Sequence, residues 1–371
     1  MRRASFAAII LLVSLVFAIA IAELAVRAFF PQKLSVDVTH WDPDVGFTNI
    51  PGAEGYAETA EYRMHISINS RGLRDREFDY AKPPRTLRVG VFGDSFTFGE
   101  GVQNDETYAK RLEVLLQRDH DLRAAGVNVE VLNFGIDKTG TSHQLALYRK
   151  EGRKYGLDVV VVGFFGENDF GDNWAGVYTL QHGALVHNPA AYSSVRRIQP
   201  VVMSLPFYRW AAAHSHLVNL LRAAATLLDD AQRTRHAESV NTPQPVPDRP
   251  DLDPRQEEMT LRLVEAFREE AERDGARFVL LTIPQQGQKP LTHYTKVSAA
   301  PPFVSQLDRL LNDLERDAFE IVDLVRPFEE SPSASHYYFV NDGHFNPRGH
   351  EAAAQILGAR LLPDLVRRAR P

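Results

Sequence analysis

Cysteine is absent from this chain of 371 residues. That one absence removes thiol nucleophiles, thiolate metal sites and disulfides together. An excess of positive charge is missing as well: 42 Lys and Arg stand against 48 Asp and Glu, a net charge of −6. A nucleic-acid partner calls for a basic face, and this balance gives it no support. Internal repeats are missing too. What remains is a globular composition, 44% hydrophobic and 24% charged. The chain is long enough for one large core with attachments.

The N-terminus departs from that composition. Arg2 and Arg3 precede an apolar run from Ala4 to Ala22, interrupted only by Ser5 and Ser14. As a helix, the run extends about 28 Å, close to the hydrocarbon thickness of a bilayer. Arginines ahead of the run and none within it place its start in the cytoplasm, with the rest of the chain on the periplasmic or extracellular side. Ala20-Ile21-Ala22 has the small residues of a signal-cleavage site, so a cleaved signal is the alternative. A retained anchor is favoured, because apolar helix continues past Glu23 through Leu24, Ala25, Val26 and Phe29 as far as Pro31. The expected location is the inner (cytoplasmic) membrane, crossed once.

Residues 31–86 read as a small connector lobe. Within it Glu61 to Asn69 alternates like a strand, and "NSRGLRD" (Asn69 to Asp75) reads as a turn. From Leu87 the pattern becomes apolar strand, loop and amphipathic helix, repeated. The strands are Leu87 to Phe92, Val127 to Asn133, Leu157 to Phe165, Arg277 to Pro284 and Glu320 to Leu324. The third is a continuous apolar run after Asp158, as expected of a parallel strand covered on both faces. A last helix starts near Pro347 with Asn346 as its N-cap. This alternation predicts an α/β fold: a flavodoxin-like three-layer α/β/α domain over residues 87–371, built on a central parallel five-stranded sheet. An insertion at about 172–253 interrupts it. There Phe207 to Leu228 looks helical and apolar, and Ala237 to Asp253 reads as a loop. A strand-like segment is expected from His336 to Val340.

Ligands of open α/β sheets bind beyond the carboxyl ends of the strands. Four polar or Gly-rich stretches fall there. Gly93-Asp94-Ser95 follows the first strand, "NFGIDKTGT" the second, "GENDF" the third and "NDGHFNPRGH" the fifth. Together they offer a hydroxyl, an amide and a base with an acid neighbour, the parts needed for acyl transfer through a covalent intermediate. Phe96, Phe98, Phe164, Phe165 and Trp174 lie near that edge, as pocket wall or as core. Blander roles exist for each polar residue. Ser95 can be a turn serine, Asn168 a backbone partner, Asp169 a structural acid, and His143 and His350 helix-packing groups. A zinc site from His336, His344 and His350 has spacing that fits no compact helical motif.

These residues carry a resemblance. "GDSFTFG", "GENDF" and "DGHFNPRGH", in that order, resemble the SGNH or GDSL hydrolase superfamily over about residues 87–365. "INSRGLRD" and the N-terminal anchor resemble its membrane-tethered members. The resemblance implies Ser95 as nucleophile, His344 as base, Asn168 as a side-chain oxyanion donor and Ser95 N–H as a main-chain donor. Two departures stand out. A glycine about five residues after the second-block Asn supplies a main-chain donor in the family; counted from Asn133 that place is Lys138, whose backbone N–H can serve and whose ammonium would favour anionic substrate. The common Asp-x-x-His spacing falls on Asn341, whereas Asp342 stands two before His344 in the Asp-x-His spacing of some polysaccharide O-acyltransferase-like members. Asp342 is the implied acid.

The expected function is that of a serine esterase or O-acyl hydrolase, needing no cofactor and no metal, acting on small esters or on an O-acylated envelope polysaccharide. Transfer of an acetyl group to such a polysaccharide is an alternative. A non-catalytic envelope binding or assembly protein on the same scaffold is another.

Overall fold

The computed structural model describes residues 2–188, 198–199, 201–203, 205, 207–241, 254–286 and 302–370. Five parallel strands form its centre: β1 (Thr86–Gly93), β2 (Asn128–Gly135), β3 (Val159–Phe165), β4 (Arg277–Ile283) and β5 (Ile321–Asp323). Their order is β2-β1-β3-β4-β5, the flavodoxin-like order anticipated from the sequence. Alternation along each strand divides the core between two faces. Phe92, Leu132, Val162 and Leu280 pack toward helices Thr141–Lys150 and Pro254–Arg273. Val91, Val131, Val161 and Leu281 pack toward Tyr108–Arg118 and Pro347–Ala369. The result is a three-layer α/β/α domain.

The last helix begins as expected: Asn346 accepts the backbone N–H groups of Arg348 and Gly349 at 2.9 and 3.2 Å, and Pro347 occupies the first turn. Two local readings are corrected. His336–Val340 is not a strand. A 3-10 turn covers Ala334–His336, and the chain then folds back on itself, with one antiparallel bridge between Tyr338 and Phe345 and the Phe339 N–H bonded to the His344 carbonyl at 2.9 Å. With its hydrogen bonds met by its own return, this segment joins no sheet. Helix His216–Asn241 also extends into the stretch read as a loop from Ala237; residues 242–253 of that stretch lie outside the described residues.

Ahead of the sheet, Leu34–Ser35, Glu54–Glu58 and Arg63–Ser67 form an antiparallel sheet, with a hairpin of Thr39–Asp42 and Gly46–Asn49 beside it. Met64, Ile66 and Ile68 point one way, and their cluster closes on Phe98 from the helix after β1. "NSRGLRD" is a turn: the Asn69 side chain accepts from Arg71 N and Leu73 N, both at 2.9 Å. It delivers Arg74, fully buried, to the carbonyls of Phe98, Gly99 and Val102 at 2.8, 2.6 and 2.6 Å. The lobe therefore braces the turn that follows Ser95.

The N-terminal helix, Arg2–Phe29, is long and apolar enough from Ser5 to Phe29 to cross a membrane, and nearly all of it is exposed. A signal sequence has the same properties. The insertion holds a hairpin (Tyr178–Gln181, Ala184–His187) and the helices Tyr208–His214 and His216–Asn241.

Candidate active site

Strands β1 and β2 end side by side, Gly93 opposite Gly135. The short helix Ser95–Phe98 crosses directly over both ends. A Cβ at Gly93 would lie 1.9 Å from Thr97 Oγ1, and one at Gly135 would lie 2.1 Å from Phe98 N, so neither position accepts a side chain. Asn133 ties the same helix down, donating to the Thr97 carbonyl at 2.9 Å. Asp94 caps it, accepting Phe96 N–H at 3.0 Å. Ser95 is thus fixed at the carboxyl edge of the sheet, at the first position of a helix.

The C-terminal loop meets it there. His344 Nε2 lies 2.8 Å from Ser95 Oγ, and His344 Nδ1 lies 2.5 Å from Asp342 Oδ1. The acid that reaches the imidazole is Asp342, whereas Asn341 gives its backbone N–H to Glu61. Between them Gly343 has φ +83°, a turn that lets the Asp342 carboxylate meet one imidazole nitrogen while the other meets the serine. Phe96 packs beside the imidazole with its ring tilted by 44° and the ring centroids 4.8 Å apart.

The electrostatics favour a charged pair. Burial alone would raise the Asp342 carboxyl, but the hydrogen bond and charge of His344, the Tyr62 hydroxyl and the Lys33 charge lower it to about 2. Burial would lower His344; the hydrogen bond and charge of Asp342 override it and hold the imidazolium above its ordinary value.

Several of these partners have no signal in the family motifs. Tyr62 lies 2.9 Å from Asp342 Oδ2 and 2.8 Å from Glu100 Oε1. Its single proton serves one carboxylate at a time. Lys33 donates to Glu100 at 2.6 Å, so a polar chain runs from Lys33 through Glu100 and Tyr62 to Asp342. Glu61 accepts the backbone N–H groups of Val340, Asn341 and Asp342 at 2.8, 2.9 and 3.0 Å, clamping the loop that carries the acid. Glu61 and Tyr62 open the stretch read as a strand; an alternating pattern shows a strand's faces and not the groups at its end.

Asn168, after β3, donates to Asp94 Oδ2 at 3.3 Å, and its Oδ1 is buried with no protein partner among the described residues. Its amide retains a second N–H. Burial raises the Asp94 carboxyl to about 6, against the opposing pull of Phe96 N–H and the His344 charge. Asp169 is fully buried and accepts Phe165 N–H at 2.9 Å; burial and the neighbouring Asp94 charge raise it well above the usual carboxylate range. Lys138 is exposed and has φ +61°, the left-handed region that a non-glycine residue adopts only with strain. His350 is buried away from the serine, accepts Tyr108 N–H at 3.1 Å, and is held neutral, with burial lowering it to about 3.

A cavity of about 530 Å³ opens beside His344. Lys138, Asp137, Glu100 and Lys33 line its polar end, and Phe98, Met64 and Ile66 its apolar wall. Of the aromatic residues near the edge, Phe98 faces this cavity, while Phe164 and Trp174 belong to the core.

A Ser–His–Asp contact chain thus stands at the carboxyl edge of a five-stranded parallel sheet on a flavodoxin-like scaffold. The GDSL-like lipase/acylhydrolase family model matches residues 91–352. The chain belongs to that family. No curated protein matches the sequence as a relative. Similar solved structures include a lipase/acylhydrolase from Enterococcus faecalis, 14% identical, covering 75% of this chain and 96% of that one, with a TM-score of 0.39. A GDSL-like lipase from Bacteroides thetaiotaomicron is 12% identical and covers 76% and 89%, with a TM-score of 0.33. An acetyl xylan esterase is 13% identical and covers 74% and 100%, with a TM-score of 0.39.

Proposed function

We propose that the protein is a serine esterase that cleaves ester-linked acyl groups through an acyl-Ser95 intermediate. The observation that carries this reading is the continuous contact from Ser95 Oγ to His344 Nε2 at 2.8 Å and from His344 Nδ1 to Asp342 at 2.5 Å. Neutral His344 takes the Ser95 proton as Oγ attacks the carbonyl carbon, and Asp342 stabilises the imidazolium that forms. The oxyanion is held by the backbone N–H groups of Ser95 and Lys138 and by the free N–H of Asn168, each such donor lowering the barrier by about 3–4 kcal/mol. His344 then returns the proton to the leaving alcohol. Water enters and attacks the acyl carbon as His344 takes its proton; the carboxylic acid leaves as His344 hands that proton back to Ser95 Oγ.

In this reading the apolar wall of the cavity receives the acyl chain, and Lys138 attracts an acidic group on the alcohol side. The N-terminal helix holds the domain at the outer face of the inner membrane, within reach of O-acylated envelope polysaccharide. A sugar hydroxyl in place of water would turn hydrolysis into acyl transfer.

A fluorophosphonate probe tests the nucleophile. Wild type takes up one label, mapped by mass to Ser95, and hydrolyses p-nitrophenyl esters; Ser95→Ala does neither. An unlabelled wild type, or equal ester rates for the two proteins, overturns the assignment. Rates along a series of acyl lengths then size the cavity.

A further inference from the structure

Helix His216–Asn241 is amphipathic in the reverse sense. Its inward face is polar: Asn219 and Asp229 are buried, and Arg222 reaches the Ser35 carbonyl and the Asp37 carboxylate, both at 2.5 Å. Its outward face carries Leu220, Leu221, Leu227 and Leu228, spaced along one side of the helix, with Leu227 71% exposed. The short helix before it adds Phe207, 79% exposed, and Trp210, 65% exposed. A helix against water turns its apolar stripe inward. Contiguous exposed apolar surface rimmed by polar groups marks contact with another apolar body.

The contacts with the N-terminal helix identify that body. Glu23 accepts the backbone N–H groups of His216 and Leu217 at 3.0 and 2.8 Å and the Ser215 hydroxyl at 2.7 Å, capping the start of the reversed helix. Arg27 donates to the His214 carbonyl at 3.0 Å, and Gln32 N–H to His216 Nδ1 at 2.9 Å. The apolar helix from Ser5 to Ala22 is about 27 Å long, so in a bilayer whose hydrocarbon is about 30 Å thick Glu23 sits at the hydrocarbon edge. The two insertion helices are joined to the membrane-crossing segment at that level. Trp210 and Phe207 then stand where aromatic side chains collect at membrane surfaces.

We infer that the helices Tyr208–His214 and His216–Asn241 dock on the bilayer that holds the N-terminal helix, with Leu220, Leu221, Leu227 and Leu228 inserted at the headgroup–acyl boundary. The inference rests on the N-terminal helix spanning a membrane and requires no catalytic step. Their inner faces, through Tyr208, Arg222 and Ala223, line the cavity beside His344. Docking therefore sets that cavity against the membrane surface.

The absence of native cysteine makes a direct test simple. Full-length single-cysteine variants Leu221→Cys, Leu228→Cys, Val13→Cys and His120→Cys are labelled with NBD and reconstituted in phosphatidylethanolamine–phosphatidylglycerol vesicles with and without doxyl-labelled lipid. Labels at 221 and 228 emit at shorter wavelength than the label at exposed His120. A shallow quencher reduces them by about half, as a depth of about 5–10 Å requires. The Val13 label responds most to a deep quencher. Labels at 221 and 228 that behave like the His120 label overturn the inference. So do shifted but unquenched labels, which would place a protein partner or a second copy on this face. An unquenched Val13 label overturns the membrane span and the docking with it. Ester hydrolysis by the same variants reports on the proposed activity independently.

Discussion

Replacing Asp342 with Asn is the most informative perturbation of the proposed site. The Asp342 carboxyl is held at about 2, against an ordinary 3.8, by partners that outweigh its burial. At about 1.4 kcal/mol per decade, and discounted for solvent around the pair, this is about 1–2 kcal/mol of preference for the ionised acid beside its partners. An equal loss where the carboxylate faces the imidazolium of the transition state slows turnover by about 5–30-fold. A second effect adds to it. The Asn amide can donate to His344 Nδ1, placing the ring proton on Nε2, where it can no longer accept from Ser95; the wrong tautomer costs up to about 10⁴-fold in a Ser–His–Asp site. For Asp342→Asn we expect kcat/KM for a p-nitrophenyl ester to fall between about tenfold and 10⁴-fold at pH 7, with KM little changed. The pH profile carries a sign. Wild-type His344 is raised above 6.5, so the acid limb of kcat/KM lies above pH 6.5; without the carboxylate charge, burial prevails and the limb moves to lower pH. Stability follows the same pair. The Asp342 contribution is complete above about 3.8 and fades as pH falls toward 2, whereas that of His344 is complete below 6.5 and fades as pH rises through its raised value. The melting-temperature deficit of Asp342→Asn should therefore be largest between about pH 4 and 6.5. A variant within threefold of wild type at pH 7 with an unmoved acid limb would refute the reasoning.

Tyr62→Phe should lower kcat about three- to tenfold with KM unchanged, because Asp342 loses a hydrogen bond of the charge-assisted kind. With less of its charge engaged, Asp342 raises His344 further, so the acid limb moves to higher pH, opposite to Asp342→Asn; a shift to lower pH counts against the positioning role. Lys138→Gly should retain hydrolysis of a neutral ester within about twofold and gain up to about 1 kcal/mol in urea denaturation, since a neutral substrate uses only the backbone N–H and the left-handed strain is relieved. A tenfold loss with an acidic ester, and none with a neutral one, would assign the work to the ammonium. Arg74→Met should destabilise by about 3–5 kcal/mol, because it leaves the buried carbonyls after the Ser95 helix unpaired; a loss below 1 kcal/mol would show that water or a backbone shift replaces it.

How far the sequence was legible differs from element to element. The strands were visible because buried parallel strands are short apolar runs between turn signals, and their ends were located to within two residues. Asn346-Pro347 announced its helix because capping is local chemistry. The segment before His344 misread as a strand because its hydrogen bonds close within one turn, and apolar content does not reveal a partner. Glu61, Tyr62, Glu100 and Lys33 carried no signal: each acts across a sequence separation set by how the lobe folds over the sheet. The reversed helix at 216–241 could be read as helical and apolar, but a sequence period does not say which face meets the protein.

The sequence by itself determined the order of strands and helices, the apolar N-terminal segment, and the placement of Ser95, Asn168 and His344 in loops after strands, because periodicity, turn chemistry and loop position are local. Tertiary structure decided how Asp342, already implied by the Asp-x-His spacing, reaches the imidazole while Asn341 does not, since that depends on the path of a turn held by Glu61 from another lobe. It also decided the strain at Lys138, the polar chain from Lys33 to Asp342, and the outward aim of the leucines at 220–228. Each of these follows from distances between parts of the chain far apart in sequence, fixed only once the whole core has packed.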